Sequence, residues 1–191
     1  MFTYSVLPSW LEILKIFKKI DPDNLNKFIK KINNNNQYRL VSSSSWSIMI
    51  ICMLRLQIKK QKKINLYVPD YFCFNALKFI DEKIINIIYY PLDENLNSLN
   101  INNNFILENK NIRPDIILFV NYFGKKKDLA INNKNIENIW IIEDCTHCIE
   151  VNKNLGKTGD FIIMSLYKNF ALPNGAILSL NKNNKNKHND V

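Results

Sequence analysis

Two hydrophobic patterns divide the chain. Over its first third, apolar residues recur at spacings of three and four, which is typical of amphipathic helices. This spacing predicts helices over residues 8–20 and 22–32. A third helix is expected after the serine cluster 42–45, because serine is favoured at helix N-termini and an apolar run follows it.

From residue 64 onward, short apolar runs alternate with polar segments. The runs predict six strands, over residues 64–68, 84–90, 115–122, 138–142, 161–165 and 176–180. They are apolar at nearly every position, which indicates strands covered on both faces. A helix is predicted over residues 71–80, and other segments are long enough for helical crossovers. The sequence therefore predicts an α/β fold with three layers and a mostly parallel sheet.

The chain is strongly basic, with a net charge of +9 over 191 residues. A basic surface can bind nucleic acid, but such sites favour arginine, and the arginines are only Arg39, Arg55 and Arg113. Lysines cluster at 59–63 and 125–127, where solvated loops are expected. We therefore keep a basic nucleic-acid-binding domain only as a further alternative.

Hydropathy and cysteine content indicate the cellular compartment in which the protein is expected. No apolar run reaches membrane-spanning length, and the first residues lack the pattern of a secretory signal. Four unevenly spaced cysteines do not form a disulfide framework in a chain of this size. We therefore expect a cytoplasmic protein without a membrane partner.

The segment IIEDCTHCIE contains Cys145 and Cys148 at a spacing used by metal and redox sites. A zinc site takes about four ligands, and Cys52 and Cys73 lie far away in the sequence, within predicted core elements. A redox pair normally begins a helix of a thioredoxin-like unit, which this pattern does not predict. Both cysteines are therefore expected to pack in the core as small residues, and no metal site is predicted.

Polar residues with useful chemistry follow the predicted strands. Asp144 lies just past the fourth strand, Ser165 ends the fifth, and Lys168 comes three residues later. Ligands of open α/β sheets bind outside the carboxyl ends of the strands, so we expect these side chains to meet His147 there. The serine cluster opens a helix whose free N–H groups favour a phosphate. Pyridoxal phosphate (PLP) needs this combination of a phosphate site, a carboxylate and a lysine.

Each of these residues also has an ordinary explanation. A lysine such as Lys168 is most often a solvated surface residue. Asp144 and Ser165 could each serve only as the N-cap of a following helix. The position of Lys168 after a buried strand favours a role in a site, but the pattern alone leaves these alternatives open.

Five segments within residues 38–180 together carry a resemblance to a known family. In chain order they are SSSSWSIMI, YVPDYFCFNALKFI, ILFVNYFGKKKDL, IIEDCTHCIEVN and GKTGDFIIMSLYKNFALPNGAILSL. In this order and at this spacing they resemble the DegT-type (DegT/DnrJ/StrS) nucleotide-sugar aminotransferases, a branch of the fold-type I PLP-dependent enzymes. The resemblance implies the PLP-binding large domain of that fold.

The resemblance also implies the chemistry. Lys168 would form the Schiff base with PLP and shuttle a proton, Asp144 would pair with the ring nitrogen, and His147 would contact the phenolic oxygen or stack on the ring. The implied reaction transfers an amino group from an amino acid, usually glutamate, to a nucleotide-linked keto sugar. Such products feed surface polysaccharides, and the enzymes of this family act as homodimers.

Further residues are implied to hold the cofactor. The phosphate would be bound by Ser165 together with Ser44 and Ser45 at the start of the third predicted helix. One face of the ring would be covered by Tyr71 or Phe72. Nucleic acid is not an expected partner in this interpretation.

The resemblance also implies that the chain is truncated. Members of the family are longer and carry a smaller C-terminal domain. By comparison with them, the chain divides into an N-terminal helical segment (1–37), a partial PLP-binding domain (38–181) and a polar tail (182–191). A glycine of the family is replaced at Ser44 or Ser45, and glycine lets a backbone approach a phosphate closely. A truncated, non-catalytic homologue or interaction module is therefore a second hypothesis.

Overall fold

The computed structural model describes residues 22–34, 36–98, 112–127, 129, 138–151, 155–170 and 172–181. The helices within them are α1 (Pro22–Ile32), α2 (Ser44–Lys59) and α3 (Leu166–Asn169). The strands are β1 (Gln37–Val41), β2 (Ile64–Pro69), β3 (Ile85–Tyr90), β4 (Ile116–Val120), β5 (Trp140–Asp144), β6 (Phe161–Ser165) and β7 (Ala176–Leu180). Short 3-10 turns cover Phe74–Leu77 and Tyr122–Gly124.

These strands form one sheet in the order β1-β7-β6-β5-β4-β2-β3. Neighbours from β6 through β5, β4 and β2 to β3 run parallel, whereas β7 is antiparallel to both β6 and β1. Parallel neighbours need a long crossover, whereas an antiparallel pair such as β6 and β7 can be joined by a short connection. The predicted α/β fold with a mostly parallel sheet is confirmed.

Helices cover both faces of this sheet. On one face, α2 buries Ile48 and Ile51 in a cluster that includes Ile163 of β6. On the other face, α1 buries Ile29 in a cluster that includes Ile162. Successive strand residues point to opposite faces, so the two helices lie on opposite sides. Full burial of one such side chain contributes roughly 1.5–3 kcal/mol, and these layers therefore supply much of the stability.

The predicted helix over residues 71–80 is wrong. Only Phe74–Leu77 is helical, as a single 3-10 turn. Leu77 is the one buried residue of that turn, and Phe74 is 72% exposed. The segment therefore lacks the buried apolar face from which protein helices gain most of their stability.

Other predictions differ from the structure in detail. The strand predicted over residues 138–142 is β5, which is shifted so that Asp144 is its last residue. Strand β1 was not predicted, because it lies at the sheet edge and its side chains are mostly exposed. Helices α1 and α2 confirm two of the three N-terminal predictions. The helix predicted over residues 8–20 and the polar tail lie outside the described residues, and the domain boundaries stay predictions.

A buried carboxylate ties the end of β5 to two neighbouring segments. Glu143 is 2% exposed. Its Oε1 accepts hydrogen bonds from Asn121 Nδ2 and the Gly156 N–H, both at 2.7 Å. Its Oε2 accepts from the N–H groups of Thr158 and Gly159, both at 2.9 Å. Hydrogen bonds to an ionised acceptor are roughly twice as strong as neutral ones, so Glu143 fixes the loop that leads into β6.

The loop also approaches β5 too closely for any side chain at one position. A Cβ atom on Gly159 would lie 2.5 Å from the Glu143 Cβ and 2.7 Å from the carbonyl oxygen of Phe161. Glycine at this position therefore allows the loop to reach the carboxylate that holds it.

We expect Glu143→Gln to lower the free energy of unfolding by about 2–4 kcal/mol, because an unsatisfied buried donor costs roughly 1–3 kcal/mol. The glutamine NH2 group cannot accept a hydrogen bond, so the two N–H donors that face it lose their acceptor. Urea denaturation followed by circular dichroism measures the change. The matched control is Glu150→Gln at an exposed position. Equal stability of the two variants would contradict the structural role of Glu143.

Candidate functional site

A cleft of about 470 Å³ opens at the carboxyl edge of the parallel strands. Its walls come from the start of α2, the segment after β2, the ends of β4 and β5, and α3. All the predicted site residues except Ser165 line it: Ser44, Ser45, Tyr71, Phe72, Asp144, His147 and Lys168. The structure thus brings seven of the eight predicted site residues to one cleft, and the roles of these residues stay predictions.

The acidic residue of the cleft is Asp144, which is 4% exposed. Its Oδ1 accepts a hydrogen bond of 2.8 Å from the Thr146 N–H. Burial raises the pKa of Asp144, while the hydrogen bonds from Thr146 and the positive charges of Lys168 and His147 act in the opposite direction. A buried carboxylate of this kind would be stabilised by a cationic group of a ligand.

The imidazole of His147 lies in the turn after β5. Its Nδ1 accepts a hydrogen bond of 3.3 Å from the Phe123 N–H, and the two rings stack at 6.1 Å with an interplanar angle of 16°. Partial loss of solvent, followed by the charge of Lys168, lowers the pKa of His147, and Asp144 opposes this shift. The lowered pKa favours the neutral imidazole, and an Nδ1 that accepts this hydrogen bond leaves the ring proton to the other nitrogen, Nε2.

Lys168, one of the two lysines that line the cleft, is exposed and lies in α3, directly after β6. Its charge acts on both Asp144 and His147. An amine in this position is accessible to a ligand in the cleft.

Serines lie at the start of α2 and at the end of β6. Ser44 and Ser45 occupy the first turn of α2, and the Ser45 hydroxyl donates to the carbonyl of Asn75 at 3.4 Å. Ser165 is 1% exposed, and its Oγ has no hydrogen-bond partner among the described residues. The serines of α2 and Ser165 lie on either side of the start of β7. Ala176 of β7 pairs with Ser165 on one side and with Val41, which precedes the serine cluster, on the other.

The cleft also contains residues that the sequence did not single out. Tyr122 lines it and donates its hydroxyl hydrogen to the carbonyl of Tyr71; burial raises the Tyr122 pKa, so the phenol stays protonated. Trp46 and Phe79 stack at 4.2 Å with an angle of 21° beside the start of α2. Tyr122 lies just after β4, as Asp144 lies at the end of β5. The rule that ligands bind outside the carboxyl ends of parallel strands could therefore have identified Tyr122 from the sequence.

The cysteine predictions are confirmed for three of the residues. Cys145 and Cys148 pack in the core cluster beside α1, and Cys52 packs in the cluster beside α2. The hydrogen bond with Cys148, followed by burial, raises the pKa of Cys145, and burial raises that of Cys52 to about 12. Cys73 was wrongly predicted to be in the core, because it is exposed and lines the cleft. Within the described ranges, no group of His, Cys, Asp and Glu residues could hold a metal ion.

Part of each lysine cluster is used within the fold. Lys59 forms an ion pair with Asp115, and Lys63 donates to the carbonyl of Glu82. Lys127 donates to a carbonyl of the turn after β3. The basic composition therefore does not by itself define a nucleic-acid surface. Among the helices that the structure describes, none is long and apolar enough to cross a membrane.

No protein-family model and no curated protein matches this sequence. Solved structures match it by fold. A SepCysS–SepCysE N-terminal domain complex gives a TM-score of 0.64 at 15% identity, over 98% of this chain and 56% of that one. A DegT DnrJ EryC1 StrS aminotransferase from Brucella abortus gives 0.58 at 15% identity, over 89% of this chain and 49% of that one.

An E. coli GDP-4-keto-6-deoxy-D-mannose-3-dehydratase with bound hydrated PLP gives a TM-score of 0.59 at 17% identity, over 98% of this chain and 53% of that one. The chain thus spans about half the length of these structures. Identities this low establish the fold alone. The chain has the mixed α/β fold of PLP-dependent enzymes of fold type I.

The raised pKa of Asp144 predicts how its replacement changes stability with pH. Because the pKa of Asp144 is higher in the folded than in the unfolded state, folding favours the protonated form of this side chain. The folded protein therefore loses stability as the pH rises through the folded-state pKa and Asp144 becomes charged. We expect Asp144→Asn to raise the free energy of unfolding at pH 7, and this gain to vanish below about pH 4. The amide oxygen can still accept from Thr146.

Urea denaturation from about pH 3 to pH 8 measures this difference. The control is Asp70→Asn, which removes an acid at an exposed position. An Asp144→Asn variant that is less stable than the wild type by the same amount at every pH would contradict the expected burial effect.

Proposed function

We propose that this chain is the PLP-binding domain of an aminotransferase that moves an amino group from an amino acid, usually glutamate, to a nucleotide-linked keto sugar. The observation that carries the proposal is one cleft lined by Asp144, His147, Lys168 and the first turn of α2. This combination of a buried acid, an accessible amine and free helix N–H groups suits the cofactor.

The described residues fit the cofactor at its phosphate end. A buried hydroxyl without a partner is unfavourable unless a ligand completes its hydrogen bonding, and Ser165 Oγ is such a group. The start of α2 lies close by and favours an anion through its N–H groups and dipole. We assign the phosphate to Ser165 with Ser44 and Ser45.

The other residues have distinct roles in the proposal. Bound PLP would supply an aldehyde for amino-group exchange and an electron-accepting ring. Lys168 would bind the aldehyde carbon and move a proton between substrate atoms. Asp144 would keep the ring nitrogen protonated, because burial makes an opposite charge favourable there. His147 would orient the ring, and Tyr71 or Phe72 would cover one face.

The substrate part of the proposal has a different basis from the cofactor part. It is based on the sequence motifs and on the sugar-modifying enzymes among the structures of similar fold. A nucleotide sugar and an amino acid are therefore the proposed ligands, a second copy of the chain is the proposed partner, and the cytoplasmic synthesis of surface polysaccharide is the proposed context.

A non-catalytic relative is the second candidate. The observation that favours it is the bulky Trp46 beside the proposed phosphate site, where it stacks on Phe79. A chain with this cleft could bind the cofactor weakly or not at all, and would then act through other surfaces.

Borohydride reduction after incubation with PLP tests the proposal. We expect a stable pyridoxyl adduct on Lys168, identified by peptide mass spectrometry, and its loss in Lys168→Ala. Lys78 lines the same cleft, so Lys78→Ala is the matched control and should keep the adduct. An adduct spread over surface lysines, or one that survives in Lys168→Ala, would contradict the assignment.

Incubation with glutamate labelled with 15N then separates the two candidates. An aminotransferase transfers the label to the bound cofactor, whereas a non-catalytic relative that retains the adduct does not. Failure of the wild type to acquire any label would leave the non-catalytic candidate as the better account.

Ser165→Ala provides a test of the phosphate assignment. Without PLP we expect no loss of stability, because the hydroxyl that is removed has no partner. With PLP we expect at least a tenfold rise in Kd, since a hydrogen bond to a charged group contributes roughly 1.5–3 kcal/mol. Ser47→Ala is the control, because this hydroxyl is also buried without a partner among the described residues, but the N–H of Ser47 is already bonded to the Ser43 carbonyl within α2. Equal PLP affinity of the two variants would refute the assignment.

A further inference from the structure

Asn121, just after β4, is fully buried, and both its backbone and its side chain form hydrogen bonds. Its backbone N–H donates to the Asp144 carbonyl at 3.0 Å, and its carbonyl accepts from the Gly124 N–H at 3.2 Å. The side-chain Nδ2 donates to Glu143 at 2.7 Å, and Oδ1 accepts from the Lys127 N–H at 3.0 Å. Asn121 therefore fastens the turn 122–127 to β5 at both ends of the turn.

This turn supplies the contacts of His147. Phe123 donates its N–H to His147 Nδ1 and stacks its ring on the imidazole. To do so, Phe123 adopts a positive φ of 56° and is followed by Gly124 with φ 69°. A side chain at Gly124 would lie 3.0 Å from the His147 carbonyl oxygen. Such a conformation costs of order 1–3 kcal/mol in a non-glycine residue and persists where surrounding contacts hold it.

The hydrogen bond from Phe123 determines the protonation of the ring. An N–H donor at Nδ1 requires that nitrogen to be unprotonated, so the neutral imidazole must carry its proton on Nε2. The charged groups that act on the ring are Asp144 and Lys168. Neither of them would enforce a choice between the two neutral tautomers in the way that a direct hydrogen bond does.

We propose that Asn121, anchored on Glu143, is a positioning residue that fixes His147 as the Nε2–H tautomer. The ring then accepts a hydrogen bond at Nδ1 from the turn and offers Nε2–H as a donor to an acceptor atom of a ligand. The use of this donor in cofactor binding rests on the proposed function, whereas the tautomer itself does not.

Nitrogen NMR tests this directly without any cofactor. The chain contains two histidines, His147 and His188, so the background variant His188→Gln leaves one imidazole to observe. In 15N-labelled protein we expect an unprotonated Nδ1 and a protonated Nε2 at neutral pH. Asn121→Ala should give a mixture of tautomers and a higher pKa for His147. The reason is that the Phe123 N–H, which favours the neutral ring by donating to Nδ1, is no longer held in place.

The matched control is Asn181→Ala. Asn181 is 1% exposed, and its side chain donates to the carbonyls of Lys157 and Gly159 in a different loop. We expect this variant to lose stability but to keep the single tautomer. If Asn121→Ala does not fold, Asn121→Ser carries the same expectation, since a hydroxyl satisfies part of the buried hydrogen bonding.

Three results would overturn the proposal. The first is a wild-type ring protonated on Nδ1 or present as a mixture. The second is an unchanged tautomer and pKa in the Asn121 variant. The third is the same loss of the single tautomer in Asn181→Ala. Absence of PLP binding, with the NMR results as expected, would refute the proposed function and leave the positioning role intact.

Discussion

The buried carboxylate of Glu143 is the interaction on which the carboxyl edge of the sheet depends. It accepts hydrogen bonds from three backbone N–H groups of the loop before β6 and from the side chain of Asn121. The loop directs the chain into β6, and β6 leads to Ser165 and Lys168. Asn121 holds the turn that contacts His147. One carboxylate thus holds both the turn after β4 and the loop before β6.

The neighbouring acids of β5 differ because their surroundings differ. Glu143 and Asp144 are both nearly fully buried, and they point to opposite faces of the strand. Glu143 accepts from four nitrogen donors of the protein, so it is satisfied within the fold. Asp144 lines the cleft, and burial raises its pKa. The fold disfavours the charged form of Asp144, and this makes Asp144 rather than Glu143 the acid suited to a ligand, since perturbed pKa values concentrate at functional sites.

The sequence was sufficient for the interior of the sheet and for the convergence of Asp144, His147 and Lys168. Continuous apolar runs are the direct consequence of strands buried on both faces, and carboxyl ends of parallel strands meet at one edge. It was not sufficient for β1, because the exposed side chains of this strand form no apolar run. It was also not sufficient for residues 71–80, whose apolar residues line the cleft instead of forming one face of a helix. The role of Glu143 depends on backbone N–H groups distant in sequence, and no local pattern reports it.

A crystal structure of the chain grown with PLP would test the central claim that this edge of the sheet is a cofactor site. The account predicts the ring nitrogen beside Asp144, the phosphate in hydrogen-bonding contact with Ser165 Oγ and the first turn of α2, and a covalent bond from Lys168. PLP bound elsewhere on the surface, or an empty cleft at saturating PLP, would contradict it.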